Sequence, residues 1–125
     1  IYAGHQLHEK LSLNLKAVIS QRLIKDVDGG RVPAVEILLN TSYTAELIQK
    51  GRIAELKEAM EQAKERGMQT FDQALFDWYQ AGRITLDQAL ANADSRNNLS
   101  LRIRLTEQKG LDDAGGMSLN ASDKF

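Results

Sequence analysis

The sequence predicts an α/β chain that is mostly α: one helix, a β-hairpin, and then a bundle of short helices. Three observations predict this class. Leucines recur at helical spacing near the start, and two aliphatic runs flank a turn rich in Asp and Gly. Beyond residue 40 the apolar residues return to helical spacing behind repeated capping residues.

The first helix and the hairpin account for residues 1–40. The helix is indicated by an apolar stripe made of Leu7, Leu11, Leu15 and Val18. Strands are predicted over 18–24 and 31–39, joined by the Asp-Val-Asp-Gly-Gly turn of 26–30. Because two strands alone do not make a stable sheet, we expect the hairpin to need partners outside this chain.

Four short helices are predicted next. Asn40 or Thr41 caps the first, and Gly51 ends it. The second helix, followed by Gly67, has a stripe formed by Ile53, Leu56, Met60 and Ala63. A capping box at 70–73 starts the third, whose inward residues are Phe71, Ala74, Leu75 and Trp78. The same device at 85–88 starts the fourth, with Leu86, Ala89 and Leu90 inward.

The end of the chain permits two interpretations. Leu99, Leu101, Ile103 and Leu105 alternate with polar residues, which favours a strand, whereas Asp94 or Ser95 would suit a helix cap. Both interpretations stay open. Glycines and scattered polar residues predict a disordered tail over 106–125.

The amino-acid composition excludes several classes of function. The 125 residues include 16 Lys and Arg against 17 Asp and Glu, a net charge of −1, so a nucleic-acid partner is not expected. The chain has no Cys, which excludes disulfides and thiolate metal sites. No glycine pair is followed by the Lys-Ser/Thr of a phosphate-binding loop. Because the sequence begins with Ile1, we expect a piece of a longer protein.

A few polar residues are candidates for chemistry. His5, His8 and Glu9 are close enough in sequence to share a metal, but we interpret them as a solvated helix end. Glu36 lies in an apolar strand, where a carboxylate needs a partner; it is either a catalytic base or, as we prefer, the structural partner of Arg22 or Arg31. Gln21 and Arg22 face either a ligand or solvent, and spacing does not decide between these.

Three stretches together carry a family resemblance: LSLNLKAVISQRL at 11–23, GRVPAVEIL at 30–38 and GMQTFDQAL at 67–75. They resemble the type IV pilus retraction ATPases, the twitching motility family of PilT and PilU. The residues NADS at 92–95 and LRIRL at 101–105 are similar to the PilU branch. The resemblance runs in unbroken order from Leu11 to Leu105.

The resemblance implies a hexameric motor of the secretion ATPase superfamily that hydrolyses ATP with Mg²⁺ to retract pili. It implies that residues 1–40 end a RecA-like core, that 41–105 form a helical extension, and that the nucleotide motifs lie upstream of Ile1. This piece alone would then bind no nucleotide and catalyse nothing. The implied partners are a PilT-type motor and the inner-membrane platform of the pilus, at the cytoplasmic face.

One family motif is altered. PilT carries an Ala-Ile-Arg-Asn-Leu-Ile-Arg-Glu motif, and the corresponding residues 43–50 here read YTAELIQK. Leu47 and Ile48 fit the motif, whereas Ala45 and Gln49 replace both arginines. The departure favours the PilU branch and leaves Leu47 and Ile48 as packing residues of this helix.

Two other functions stay open from the residues alone. One is a free-standing helical module for protein–protein interaction, and the other is a small carboxylate enzyme that uses Glu36. We also expect the isolated chain to expose the apolar faces of its hairpin and first helix, and therefore to self-associate.

Overall fold

The computed structural model describes residues 2–14 and 16–122, and their side chains over 6–10, 12–14 and 16–115. The elements in order are α1 (Tyr2–Asn14), β1 (Ala17–Lys25), β2 (Arg31–Leu39), α2 (Ser42–Lys50), α3 (Ile53–Gln62), α4 (Phe71–Gln80), α5 (Leu86–Asn92) and α6 (Arg96–Ser122). A 3₁₀ turn at Lys64–Arg66 follows α3. The mostly helical class with one two-stranded antiparallel sheet is therefore confirmed.

The hairpin has the predicted strands and turn. Lys25 lies opposite Arg31, and Ser20 lies opposite Glu36. Gly29 has a φ of 88°, which glycine adopts without strain. On the outer edge of β2, Ile37 forms an isolated bridge with Gln69. Val18 belongs to β1 and not to the first helix, so the apolar stripe predicted for that helix extends too far along the chain. The side chains of Leu11 and Leu15, which belong to the same predicted stripe, lie outside the described residues.

The larger of two apolar cores joins one face of the hairpin to α4, α5 and α6. Its buried members are Ile24, Val32, Ala34, Phe71, Ala74, Leu75, Ile84, Ala89, Leu99 and Ile103. Trp78 and Leu90 pack partly buried against it, whereas Leu86, predicted to point inward, is 42% exposed. At the start of α5 its side chain lies at the rim, and Ala89 fills the interior instead.

The smaller core holds α2 and α3 together. It contains Leu47, Ile48, Leu56, Met60 and Met68. Thr41 caps α2, and Gly51 ends it in the left-handed conformation, both as the sequence predicts. The predicted stripe of α3 is narrower than expected, because Ile53 is 56% exposed at the first turn.

The ambiguous segment near the end is helical. Leu99 and Ile103 are each 2% exposed and lie four residues apart, so they share the buried face of α6. Leu101 and Leu105 fall on the exposed side. A strand would instead have buried all four leucine and isoleucine side chains on one face.

Over the segment where the sequence predicts a disordered tail, the structure describes α6 as continuing through Ser122. Once the turns around Leu99 and Ile103 are fixed by packing, each further residue adds a backbone hydrogen bond without a new nucleation step. Gly110 and Gly115 weaken the helix but do not break it. None of the described helices combines the length and apolar character needed to cross a membrane.

Candidate functional site

Four charged side chains and one aromatic ring meet where the hairpin contacts the helices. We call this set the junction cluster: Arg22 of β1, Glu36 of β2, Lys57 of α3, Phe71 of α4 and Asp94 between α5 and α6. Residues far apart in sequence converge here because the strands and α4 pack over one core. The cluster therefore fixes the hairpin relative to the helices.

Glu36 is the most enclosed charge of this cluster, with a side chain 16% exposed. It forms an ion pair with the Lys57 ammonium and accepts a long hydrogen bond of 3.4 Å from the Phe71 backbone N–H. The predicted partners Arg22 and Arg31 were wrong. In the hairpin register Glu36 faces Ser20, so no arginine lies directly across from it.

The Arg22 side chain contacts the helices. Its guanidinium donates to the Asp94 carboxylate at 3.0 Å and to the Asn92 carbonyl oxygen at 3.2 Å. The same guanidinium carbon lies 3.9 Å from the centroid of the Phe71 ring, a close cation–π contact. Lys57 closes the network, since its ammonium lies 3.6 Å from the other Asp94 oxygen.

Asp72 supports the cluster from behind. Its two carboxylate oxygens accept the backbone N–H groups of Asp94 at 2.8 Å and Ser95 at 2.9 Å. These donors lie just before α6, where amides have no partner within the helix. The start of α6, and with it Asp94, is therefore held by the first turn of α4.

The structure separates the other candidate residues. Gln21 is exposed on the opposite face of β1 from Arg22, so the two do not form one site. His8 lies near Gly51 at the end of α2, and the side chain of His5 lies outside the described residues. Among the residues that the structure describes, no three His, Cys, Asp or Glu residues come close enough to hold a metal.

Leu47 and Ile48 are 3% and 9% exposed and lie in the smaller core. The packing role predicted for them fits this position. The outer face of α2 presents Tyr43, which is 57% exposed, and an ion pair between Glu46 and Lys50 at 2.6 Å. The Lys50 ammonium lowers the pKa of Glu46 through that hydrogen bond.

A groove of about 1070 Å³ runs over the junction cluster between α3 and α6. Lys57, Arg22, Asp72 and Asp94 lie among its lining residues, and apolar side chains of α3 and α6 line its walls. The cluster therefore borders an open surface and is not sealed in the core.

The positive and negative side chains of the junction cluster neutralise one another. Each cation faces a carboxylate or an aromatic ring, and the described part of the cluster contains no nucleophile beside a base. Sequence reasoning identified Arg22 and Glu36 but missed Lys57 and Asp94. Lys57 lies in a helix face that looks solvated, while Asp94 is one of the NADS residues that resemble the PilU branch.

No family model matches the chain. It is 47% identical over 123 residues to the type IV pilus ATPase PilU of Pseudomonas aeruginosa, a match that covers 94% of this chain and 32% of PilU. It is 38% identical over 88 residues to the retraction ATPase PilT of the same organism, covering 70% of this chain and 26% of PilT.

The comparison of folds also finds a pilus retraction ATPase. A crystal structure of the pilus retraction motor PilT with bound ADP superposes with a TM-score of 0.64 and 31% identity, over 77% of this chain and 26% of that one. This chain spans about a third of the length of PilU and about a quarter of PilT. Over these parts of their lengths, the chain resembles the type IV pilus ATPase PilU in sequence and the pilus retraction motor PilT in both sequence and fold.

Proposed function

We propose that this chain is the C-terminal part of a PilU-type motor ATPase that powers pilus retraction and twitching motility. The observation that carries the proposal is the 47% identity to PilU across 94% of the chain. The agreement in fold with the ADP-bound PilT motor supports it independently.

The proposed division of labour separates residues 1–40 from 41–105, which the larger core holds together by joining the hairpin to α4, α5 and α6. Residues 1–40 complete a RecA-like domain, and 41–105 form an extension that the junction cluster fastens to it. The exposed apolar side chains of α1 and β1 support this division, because they suit burial against the remainder of such a domain; they include Leu7, Leu13, Ile19 and Leu23. ATP and Mg²⁺ are held elsewhere in the motor subunit, so the chain alone is inactive.

The partners proposed are further copies in a hexameric ring, a PilT-type motor and the inner-membrane platform of the pilus, on the cytoplasmic side. In α2, Ala45 and Gln49 stand where the PilT motif has arginines. Two guanidinium groups are thereby missing from this helix, while its packing residues Leu47 and Ile48 are retained. We therefore place this motor in the PilU role, working beside a PilT-type partner.

Calorimetric titration with Mg-ATP tests the placement of the nucleotide site. We expect heat of binding from the native protein that contains this chain and none from the 125 residues alone. Tight binding of Mg-ATP to the short chain would contradict the proposed division. Absence of binding to the native protein would contradict the motor function itself.

A chimera tests the function directly. The segment of Pseudomonas aeruginosa PilU that matches this chain is replaced by these residues, and PilU-dependent twitching is measured. We expect motility to be retained. A chimera with Leu75→Asp, which places a charge in the larger core, serves as the non-functional control, and one with the exposed Lys50→Ala serves as the neutral control. A well-expressed chimera that behaves like the Leu75→Asp control contradicts the proposal.

A further inference from the structure

The groove between α3 and α6 has apolar walls that the fold itself does not use. Ile53, Leu101 and Leu105 line it and are 56%, 53% and 59% exposed. Leu101 and Leu105 lie one turn apart on α6, so they form a short apolar ridge facing α3. Such a ridge is the kind of surface that receives the apolar face of another helix.

These leucines are not needed to hold α6 on the molecule. Leu99 and Ile103, buried on its other side, anchor the helix in the larger core. Polar contacts with α4 add to that anchor, since Tyr79 donates to the Glu107 carboxylate at 2.7 Å and the Arg102 guanidinium lies 5.0 Å from the centroid of the Phe76 ring. The ridge is therefore available to a partner.

The charged side chains of the groove indicate the charge that a partner should carry. Its cations are already engaged: Lys57 and Arg22 by carboxylates of the junction cluster, and Arg102 by the Phe76 ring. Glu58 and Glu61 line the groove on α3, exposed and one turn apart. In the part of the chain that the structure describes, neither carboxylate forms an ion pair or a side-chain hydrogen bond, so unneutralised negative charge flanks the ridge.

We propose that this groove binds a basic amphipathic helix of a partner protein. Leucine-like side chains of that helix contact Ile53, Leu101 and Leu105, and Lys or Arg residues beside them pair with Glu58 and Glu61. The lining residues from Ile53 to Glu61 cover about 12 Å of helix axis, enough for two to three turns of the partner. The proposal stands on these side chains and does not depend on the motor function.

Two synthetic peptides of about fifteen residues test it, since shorter helices are marginal in water. Both carry leucine at the same helical spacing, and their polar face is lysine in one and glutamate in the other. Fluorescence anisotropy measures binding to the native protein that contains this chain. We expect only the lysine peptide to bind, more weakly as salt rises.

Matched variants locate the site. The double substitutions Glu58→Gln with Glu61→Gln, and Leu101→Ser with Leu105→Ser, should each weaken binding about tenfold or more. Glu65→Gln and Leu111→Ser, exposed and outside the groove, should leave the affinity unchanged. Circular dichroism of each variant shows whether the fold is retained, and the glutamine variants are the conservative arm if the serine variants unfold.

Three results would overturn the proposal. One is equal binding of the glutamate peptide, since that indicates non-specific apolar contact. Another is binding of the lysine peptide that none of the folded groove variants reduces. The third is self-association of the native protein that the groove variants abolish while neither peptide binds, since that assigns the groove to a second copy.

Discussion

The two faces of β1 differ sharply although both carry aliphatic side chains. Ile24, on the face that packs in the larger core, is 1% exposed, whereas Ile19 and Leu23, on the opposite face, are 72% and 55% exposed. The same contrast separates the packed helices α4 to α6 from α1, where Leu13 is 76% exposed. An apolar pattern therefore predicts which face of an element is suited to burial. It does not predict whether the element that covers this face lies in the same chain.

The largest expected effect comes from Ile24→Ala compared with Ile19→Ala, the same change in the same strand. Removing the buried side chain leaves a cavity and should lower the free energy of unfolding by about 2–5 kcal/mol. The change at the exposed position should stay within about 0.5 kcal/mol. Urea unfolding of the 125-residue chain measures both. Equal losses would show that β1 is covered on both faces, for instance by self-association.

The next effect sharpens the comparison by restoring the proposed partner. In the native protein that contains this chain, Ile19→Ala should cost about 1–3 kcal/mol more than in the chain alone, because the side chain is then buried. Leu111→Ala, exposed on the outer part of α6, is the control that should behave alike in both settings. Thermal unfolding of both proteins tests this, and an unchanged effect of Ile19→Ala would refute burial of this face.

A smaller difference in the free energy of unfolding is expected between two ion pairs, one partly enclosed and one exposed. Lys57→Met leaves the largely enclosed Glu36 without its cation and should cost about 1–3 kcal/mol. Lys50→Met breaks the exposed pair with Glu46 and should leave the free energy of unfolding nearly unchanged, because solvent screens this pair. The double variant Lys57→Met with Glu36→Gln should recover part of the loss, because the uncompensated charge is gone. Denaturant unfolding measures all three, and no recovery in the double variant would show that Glu36 is solvated.

Local signals in the sequence predicted the fold well. The Asp- and Gly-rich turn, the Thr41 and Thr70 caps and the glycine at Gly51 act within a few residues, and each is found where the sequence places it. The segment around Leu101 was ambiguous because alternation and helical spacing coincide over a few residues. Only contact with α4 and α5 decides which face is buried.

The candidate site was only half predictable. Arg22 and Glu36 stand out as charges inside apolar strands, but their partners lie outside the hairpin. Lys57 is 21 residues from Glu36 and Asp94 is 72 residues from Arg22, so no local pattern joins them. The register of the hairpin, which sets Glu36 against Ser20, excludes the cross-strand pair that the sequence favoured. Pairing between distant elements is set by tertiary packing, which the one-dimensional pattern does not contain.

The smallest effect concerns the turn that ties the hairpin to the helices. Arg83, before α5, donates to the Asp26 carboxylate at 3.1 Å, and this hydrogen bond lowers the pKa of Asp26. Because the folded chain holds this proton less tightly than the unfolded chain, the pair stabilises the fold above the unfolded pKa of about 4. The stabilisation is lost as the pH falls through the lowered folded pKa.

Asp26→Asn should therefore lower the melting temperature at neutral pH, and its difference from the unmodified chain should shrink as the pH falls below about 4. Asp112→Asn, on the exposed part of α6, is the control that should show no such trend. Melting curves by circular dichroism across the acid range measure both. A difference for Asp26→Asn that stays constant with pH would mean that the side chain acts by its hydrogen-bonded turn, since Asp26 also accepts the Asp28 N–H at 3.1 Å, and not by its charge toward Arg83.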